Sequence, residues 1–403
     1  MEYNQNDISV EEDNETLQDM NYEPVKFAQA VIWGTDWTTE TINTQLVKGN
    51  IDLNPSFQRR DAWTDAEKSR LIESLMLGLP VPPIILAENK NKKNSYIVID
   101  GKQRLLSIRR FFSDNTENDF KPLKLKGLNI LTDLNGNTID KARIKFSEYV
   151  RNIENQPIRT IVIKNWPDEP FLYTVFLRLN TGSKKLSSQE LRQALKPGEF
   201  LNYLDEATAN SKSVMKMLGN TSADTRMKDI ELALRFYSYY YYFEEYTGNL
   251  KNFLDTTCER LNSNWEEQEI EIKKLFSDFE EAIDFAYEII ETQSPFSRYI
   301  NGDCSNRFNK SIFELFVYYF SNSKIRDFIR NNKDSFMEAF INMNDDQEFI
   351  TALSGSTKEL NNVCTRFGKF YEILVNLPNS LQISIPQIKN VEGKIRISNK
   401  FSI

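Results

Sequence analysis

Asp100-Gly101-Lys102-Gln103-Arg104 gathers a carboxylate, a glycine, two cations and an amide into one pentad. The apolar run Tyr96-Ile97-Val98-Ile99 precedes it, and Leu105, Leu106, Ile108, Phe111 and Phe112 follow at helical spacing. The pentad therefore falls at a strand-to-helix turn. The first N–H groups of a helix lack intrahelical acceptors and the macrodipole favours negative charge there, so such a turn can hold an anion. Gly101 lets backbone approach a ligand closely, and Arg104 offers the forked donors that phosphate recognition rewards. Lys102 adds a point charge that either joins the site or faces solvent. Asp100, at the C-terminal end of the strand where open α/β sheets bind ligands, can hold Mg2+ or orient an attacking water. It can equally cap the helix that starts at Lys102. Gln103 either orients water or hydrogen-bonds the fold. The plain alternative for the whole pentad is a β-turn-α junction whose charges are solvated.

These residues need elements to hold them. Ile84-Ile85-Leu86 and Tyr96 to Ile99 read as a hairpin across the Asn/Lys-rich loop 88–94. Upstream, Asp65 caps a helix to Leu77 with Leu71, Ile72, Leu75 and Leu79 as its buried stripe; Gly78 stops it, and Pro80, Pro82 and Pro83 prevent continuation. Trp37-Thr38 opens a shorter helix ending near Gly49, and Ile51-Asp52-Leu53 is a strand candidate. Residues 121–150 read as a variable insertion with a turn at Leu134-Asn135-Gly136-Asn137. A strand at Ile158 to Ile163 and a helix at Pro170 to Leu179 follow. Beyond Ser187 the helical period dominates, with helices expected over 187–196, 228–247, 249–262, 266–292, 311–332 and 358–376, and a strand near Ile395-Arg396-Ile397. The expected fold class is α+β, an α/β domain followed by a mostly α-helical one.

Other side chains compete for roles. Gln58 and Arg59 lie in a loop, where the pair suits base or phosphate contact or a surface salt bridge; Arg60 and Asp61 can pair with each other. Trp63 is expected to pack beneath that loop. Asn180-Thr181-Gly182 ends a helix pattern with side chains that can complete a pocket. Ser187-x-x-Glu190 has the form of a capping box, which makes Glu190 structural. The aromatic run Tyr237 to Phe243 can stack bases, but contiguous aromatics point all around a helix, so most belong to the core.

Four ordered blocks carry a resemblance: Pro55 to Trp63, Ile72-Glu73-Ser74 to Pro82, Asp100 to Arg104, and Phe176-x-Arg178-x-Asn180-Thr181-Gly182 with Leu186-Ser187 and Glu190-Leu191-Arg192. Together they resemble the bacterial family called domain of unknown function 262, the N-terminal part of modification-dependent restriction systems of the GmrSD type. The first Gln of that family's pentad is Lys102 here. The resemblance implies a ParB/sulfiredoxin-like α/β domain whose Gly-x-x-Arg turn, Gly101 to Arg104, binds nucleotide phosphates. It also implies hydrolysis of nucleoside triphosphates to control a nuclease in phage defence. On this reading Asp100 and Gln103 are the catalytic candidates. Gly101, Lys102, Arg104, Gln58, Arg59 and Asn180 bind nucleotide or phosphate, and Asp100 is the candidate Mg2+ ligand. The expected layout is an acidic disordered tail over 1–23, a ParB-like nucleotide-binding domain over 24–196 and a helical domain over 197–403.

Composition narrows the chemistry. The 403 residues contain no histidine, which removes Ser-His-Asp and Cys-His pairs, His-ligated metals and the His-Asn-His nuclease often fused to this family. Cys258, Cys304 and Cys364 fit no zinc spacing. No run of apolar residues approaches a membrane span, so a cytoplasmic protein is expected. Of the net charge of −8, all is carried by the first 23 residues, which hold eight acidic and no basic side chains. Basic residues are in excess over 51–110 and 178–196, where any nucleic-acid surface should lie; residues 263–291 are acidic, as the solvated face of a helix would be.

The reading is a nucleotide-binding and nucleoside-triphosphate-hydrolysing regulator of an anti-phage or modification-dependent restriction system, acting on a separately encoded nuclease or effector. The rivals are a non-hydrolysing DNA-binding adaptor and a His-free Mg-dependent nuclease centred on Asp100. The expected cofactor is Mg2+ with the triphosphate, with neither zinc nor haem. DNA is a further partner candidate, no membrane partner is expected, and homo-oligomerisation is left open.

Overall fold

The computed structural model describes residues 30–51, 53, 63–90, 92–113, 120–179, 187–300, 302–354, 357–378 and 384–401. The chain divides into two compact units, Met20–Leu195 and a second that contains Lys196–Ile403. An α/β region comes first and a mainly helical one second.

The first unit is built on a four-stranded sheet in the order β1-β4-β2-β3, with β1 Val31–Thr38, β2 Ile84–Glu88, β3 Tyr96–Asp100 and β4 Pro157–Lys164. β2 and β3 form the expected antiparallel hairpin, and β2 runs parallel to β4, with Ile84 facing Thr160 and Ala87 facing Ile163. β1 was not foreseen. It pairs antiparallel with β4 from Val31↔Lys164 to Thr38↔Pro157, and its residues are too exposed to give an alternating signal; Ile32 is 72% exposed. The helix expected from Thr38 is present as α1, Thr39–Val47, with Thr38 as its cap.

Helix α2, Asp65–Met76, starts one residue differently from the sequence reading. Thr64, not Asp65, is the cap: its hydroxyl accepts from the Glu67 N–H at 3.3 Å, and the Glu67 carboxylate accepts from the Thr64 N–H at 2.8 Å. Ile72 and Leu75 are buried as expected, but Leu79 lies beyond the helix and is exposed, because Gly78 turns the chain at φ +70°. Helix α3, Lys102–Phe112, buries Leu105, Leu106, Ile108 and Phe111 and packs against α1 and α2. The segment expected as an insertion contains two helices, α4 Ile139–Lys145 and α5 Ser147–Asn155, too short for their periodicity to stand out. Helices α6, Glu169–Leu179, and α7, Ser188–Leu195, close the unit. Phe171, Leu172 and Leu191 join Ile85, Ala87, Ile99, Ile163 and Trp166 in one apolar cluster over the sheet. Ile84, Leu86 and Val162, which alternate with those strand residues, are buried as well.

In the second unit, α8 is Glu199–Asn210, α9 Lys212–Met217, α10 Lys228–Tyr242, α11 Leu250–Ser263 and α12 Trp265–Ile290. The hairpin β5 Ser297–Ile300 and β6 Asp303–Phe308 leads to α13 Lys310–Phe320, α14 Ser323–Arg330, α15 Lys333–Asp345, α16 Gln347–Ser354 and α17 Leu360–Asn376. Strands β7 Gln387–Val391 and β8 Lys394–Ser398 pair antiparallel, and β8 includes the expected Ile395 to Ile397. The single helix expected over 311–332 is two, because Asn322 caps a fresh start by accepting from the Lys324 and Ile325 N–H groups. In the aromatic run, Tyr237, Tyr239 and Phe243 are fully buried, and the Tyr237 hydroxyl donates to the Ile272 carbonyl at 2.6 Å. That run is core.

Candidate functional site

The pentad sits where the sequence placed it, at the end of β3 and the start of α3. Asp100 lies opposite Ile85, where the register of the β2–β3 pair shifts. Gly101 is the N-cap of α3 in a left-handed conformation at φ +101°, and no side chain caps the helix. A Cβ there would be strained by the backbone conformation and would lie 3.2 Å from both Ile84 Cγ1 and Arg104 Nη2, which would have to give way by a few tenths of an ångström. The Leu105 N–H donates to the Gly101 carbonyl at 2.9 Å, which leaves the N–H groups of the preceding turn without helical acceptors.

Asp100 does not cap the helix. Its Oδ1 accepts from the Gly101 N–H at 2.7 Å and its Oδ2 from Arg104 Nη2 at 3.0 Å, so the carboxylate braces the turn from outside while staying half exposed. The same Nη2 donates to the Pro83 carbonyl at 3.0 Å. Arg104 thereby fastens the pentad to the proline-rich segment after α2. Its Nε and the Oε1 of Gln103 are buried without a hydrogen-bond partner.

Lys102 differs most from expectation. It is 6% exposed, and its Nζ lies 3.0 Å from Glu190 Oε1, on a residue that is itself 6% exposed. The cation does not face solvent; it joins a buried ion pair linking the start of α3 to the start of α7. Glu190 also closes the expected capping box, its Oε2 accepting from the Ser187 N–H at 2.7 Å and its N–H donating to Ser187 Oγ at 3.1 Å. Beside it on α7, Gln189 and Gln193 are buried, and Gln189 Nε2 and Gln193 Oε1 have no hydrogen-bond partner. Unmet polar groups are rare in protein interiors, so four of them on the two helices bridged by one ion pair mark a place where a ligand could satisfy them.

The sequence reading missed two things. Gln189 and Gln193 lie four residues apart on one face of α7, a spacing that signalled amphipathicity but not unmet polarity. Glu73, within the Ile72-Glu73-Ser74 block, is buried in α2, and its carboxylate accepts from the N–H groups of Asn129, Ile130 and Leu131 at 3.3, 2.8 and 2.7 Å. Burial pushes its carboxyl up, but these three bonds outweigh that and hold it below the usual range. At the start of α2, Asp65 pairs with Arg110 of α3 at 3.0 Å; burial opposes ionisation there and Arg110 overcomes it, so Asp65 also titrates low. Each sequence block that the structure describes is thus tied by charged hydrogen bonds to another segment of the unit.

Gln58, Arg59, Arg60, Asp61, Asn180, Thr181 and Gly182 lie outside the described residues, as do residues 1–23. Trp63 is half buried, and its carbonyl accepts from the Lys68 ammonium. Among the described residues no group of three or more His, Cys, Asp or Glu side chains could hold a metal ion by itself. No described helix is long and apolar enough to cross a membrane.

Comparison with curated proteins finds no match, and neither does comparison with solved structures. A family model described as GmrSD restriction endonuclease, N-terminal domain, matches residues 43–195. That match runs from within α1 to the last residue of α7 and takes in every side chain of the site just described. Over residues 43–195, the chain is similar to the N-terminal domain of GmrSD restriction endonucleases.

Proposed function

We propose that this chain is a component of a restriction system, in which the α/β unit binds a nucleoside triphosphate at the turn between β3 and α3 and its hydrolysis controls a separate effector. One observation carries the reading. A left-handed glycine opens an uncapped helix start beside Arg104, while Gln103 and Arg104 keep buried polar atoms unpaired. Helix starts of this kind suit phosphate because the donors are already oriented and the dipole is favourable. Arg104 supplies the forked cation, and Gln103 is the candidate to hold an attacking water. Gln58, Arg59 and Asn180 are the further nucleotide contacts proposed from the sequence.

Mg2+ fits this arrangement through Asp100. The ion is commonly held by one or two carboxylates together with substrate phosphates, and Asp100 presents one half-exposed carboxylate beside the turn. When bound, Mg2+ would neutralise phosphate charge. The chain's own residues orient the ligand: Gly101 admits it, Arg104 grips it, and Asp100 keeps Arg104 in place.

Calorimetric titration with ATP and GTP, with and without Mg2+, tests the proposal. Arg104→Ala is expected to weaken binding at least tenfold, or about 1.4 kcal/mol, in a variant that retains its helical circular dichroism. Unchanged affinity in that folded variant would remove the site assignment. Multiple-turnover release of phosphate separates a hydrolase from a nucleotide-binding adaptor.

A further inference from the structure

The Lys102–Glu190 pair offers more than a cross-brace. Both side chains are 6% exposed, they meet at 3.0 Å, and they join the first residue of α3 to the first turn of α7. Glu190 thus places a carboxylate on the ammonium of the first residue of the helix whose start the proposed function assigns to phosphate. A buried carboxylate next to a polyanion site is costly to binding, because like charges in a poorly screened interior repel strongly. It also engages the ammonium that a phosphate would otherwise recruit. Gln103 Oε1, Arg104 Nε, Gln189 Nε2 and Gln193 Oε1, on the same two helices, are buried with no hydrogen-bond partner. The ion pair therefore bridges two helices that each carry buried polar atoms without a partner.

We infer that Glu190 is a built-in counter-anion at the phosphate site. It occupies Lys102 in the unliganded protein and is displaced from it by the phosphates of an incoming nucleoside triphosphate. The inference rests on the proposed function and adds its regulation. The affinity of the site is set by competition between an internal carboxylate and an external phosphate for one ammonium. Because Glu190 also caps α7 through Ser187, freeing it from Lys102 changes what holds the start of that helix. Ligand binding at α3 is in this way reported to α7.

Titration of the full chain with tripolyphosphate and with ATP, at fixed ionic strength, tests this in four forms: wild type, Glu190→Gln, Lys102→Gln and the double variant. Glu190→Gln keeps the capping geometry, removes the charge and is expected to bind both probes about tenfold more tightly than wild type. Lys102→Gln removes the ammonium while the Glu190 charge remains, and is expected to bind more weakly than wild type. The double variant should recover that loss, since neither charge remains. Equal or weaker binding by a folded Glu190→Gln variant would overturn the competition while leaving the nucleotide site standing, provided wild type binds. Should Glu190→Gln fail to fold, the comparison of Lys102→Gln with the double variant decides, and equal affinities there overturn the inference. If none of the four forms binds either probe, the nucleotide reading itself is lost and the inference goes with it.

Discussion

Two residues show how single side chains hold the site together. Glu73 was visible only as part of a sequence block, yet its carboxylate takes three consecutive backbone N–H groups from a segment up to 58 residues away in sequence. Glu73→Gln keeps the shape and loses the charge, and is expected to cost about 2 kcal/mol near neutral pH. The folded pKa is lowered, so this stability is fully present above the unfolded carboxyl value near 4.5 and is lost as pH falls through the lower folded value. Urea unfolding from pH 7 to pH 3 should therefore show a steeper acid loss in wild type than in Glu73→Gln; parallel curves would dispose of the assignment. Gly101 is the second case. Its φ of +101° and the 3.2 Å clearance to Ile84 and Arg104 predict that Gly101→Ala costs about 1–2 kcal/mol. A melting temperature equal to wild type would show that the turn is less constrained than its geometry implies.

At the level of elements, helix starts were readable to within a residue when their signals were local. Thr64 and Glu67 form a capping box that the sequence displays, although Asp65 next to Thr64 is an equally ordinary cap and drew the assignment. Thr64→Ala is expected to destabilise α2 by about 1 kcal/mol, whereas Asp65→Ala acts through the lost Arg110 pair instead. A double-mutant cycle with Arg110→Ala should show coupling for Asp65 and none for Thr64, and coupling of both would mean that the cap and the ion pair are one unit. β1 lacked any comparable local signal, because its partner strand begins more than a hundred residues later and its apolar side chains remain in water. The break at Asn322 was missed because the apolar pattern continues across it, so only the cap's hydrogen bonds reveal two helices.

Across the molecule, each unit buries charge inside an apolar interior. In the second unit Glu314, on α13, lies 2.7 Å from Arg235 of α10 and 3.4 Å from Arg366 of α17, and all three are at most 3% exposed. Arg366 Nη1 also donates to the carbonyls of Ala352 and Thr357, so the network ties four segments at the centre of the unit. Removing Glu314 takes the shared carboxylate from both guanidinium groups, although Arg235 keeps Glu231 and Arg366 keeps two carbonyls, and Glu314→Ala is expected to cost about 3 kcal/mol. Denaturant unfolding followed by circular dichroism measures this, and a loss below about 1 kcal/mol would mean that water or rearrangement satisfies both guanidinium groups. The aromatic core around Tyr239, Phe243 and Phe367 has ring centroids 4.6 to 5.7 Å apart, which explains why the conspicuous tyrosine run is structural.

The amino-acid sequence by itself determined the strand, glycine turn and helix of the pentad, the β2–β3 hairpin, the Ser187–Glu190 capping box and the order of an α/β region before a helical one. These follow from neighbours in the chain, where propensity, capping and periodicity act over a few residues. Only the tertiary structure decided the states of the charged side chains. Lys102 meets a partner 88 residues away and is buried, Arg104 is drawn to a carbonyl 21 residues back, and Gln103 is left with an unpaired oxygen. Burial and pairing depend on which distant surfaces the fold brings together, and no local pattern specifies that.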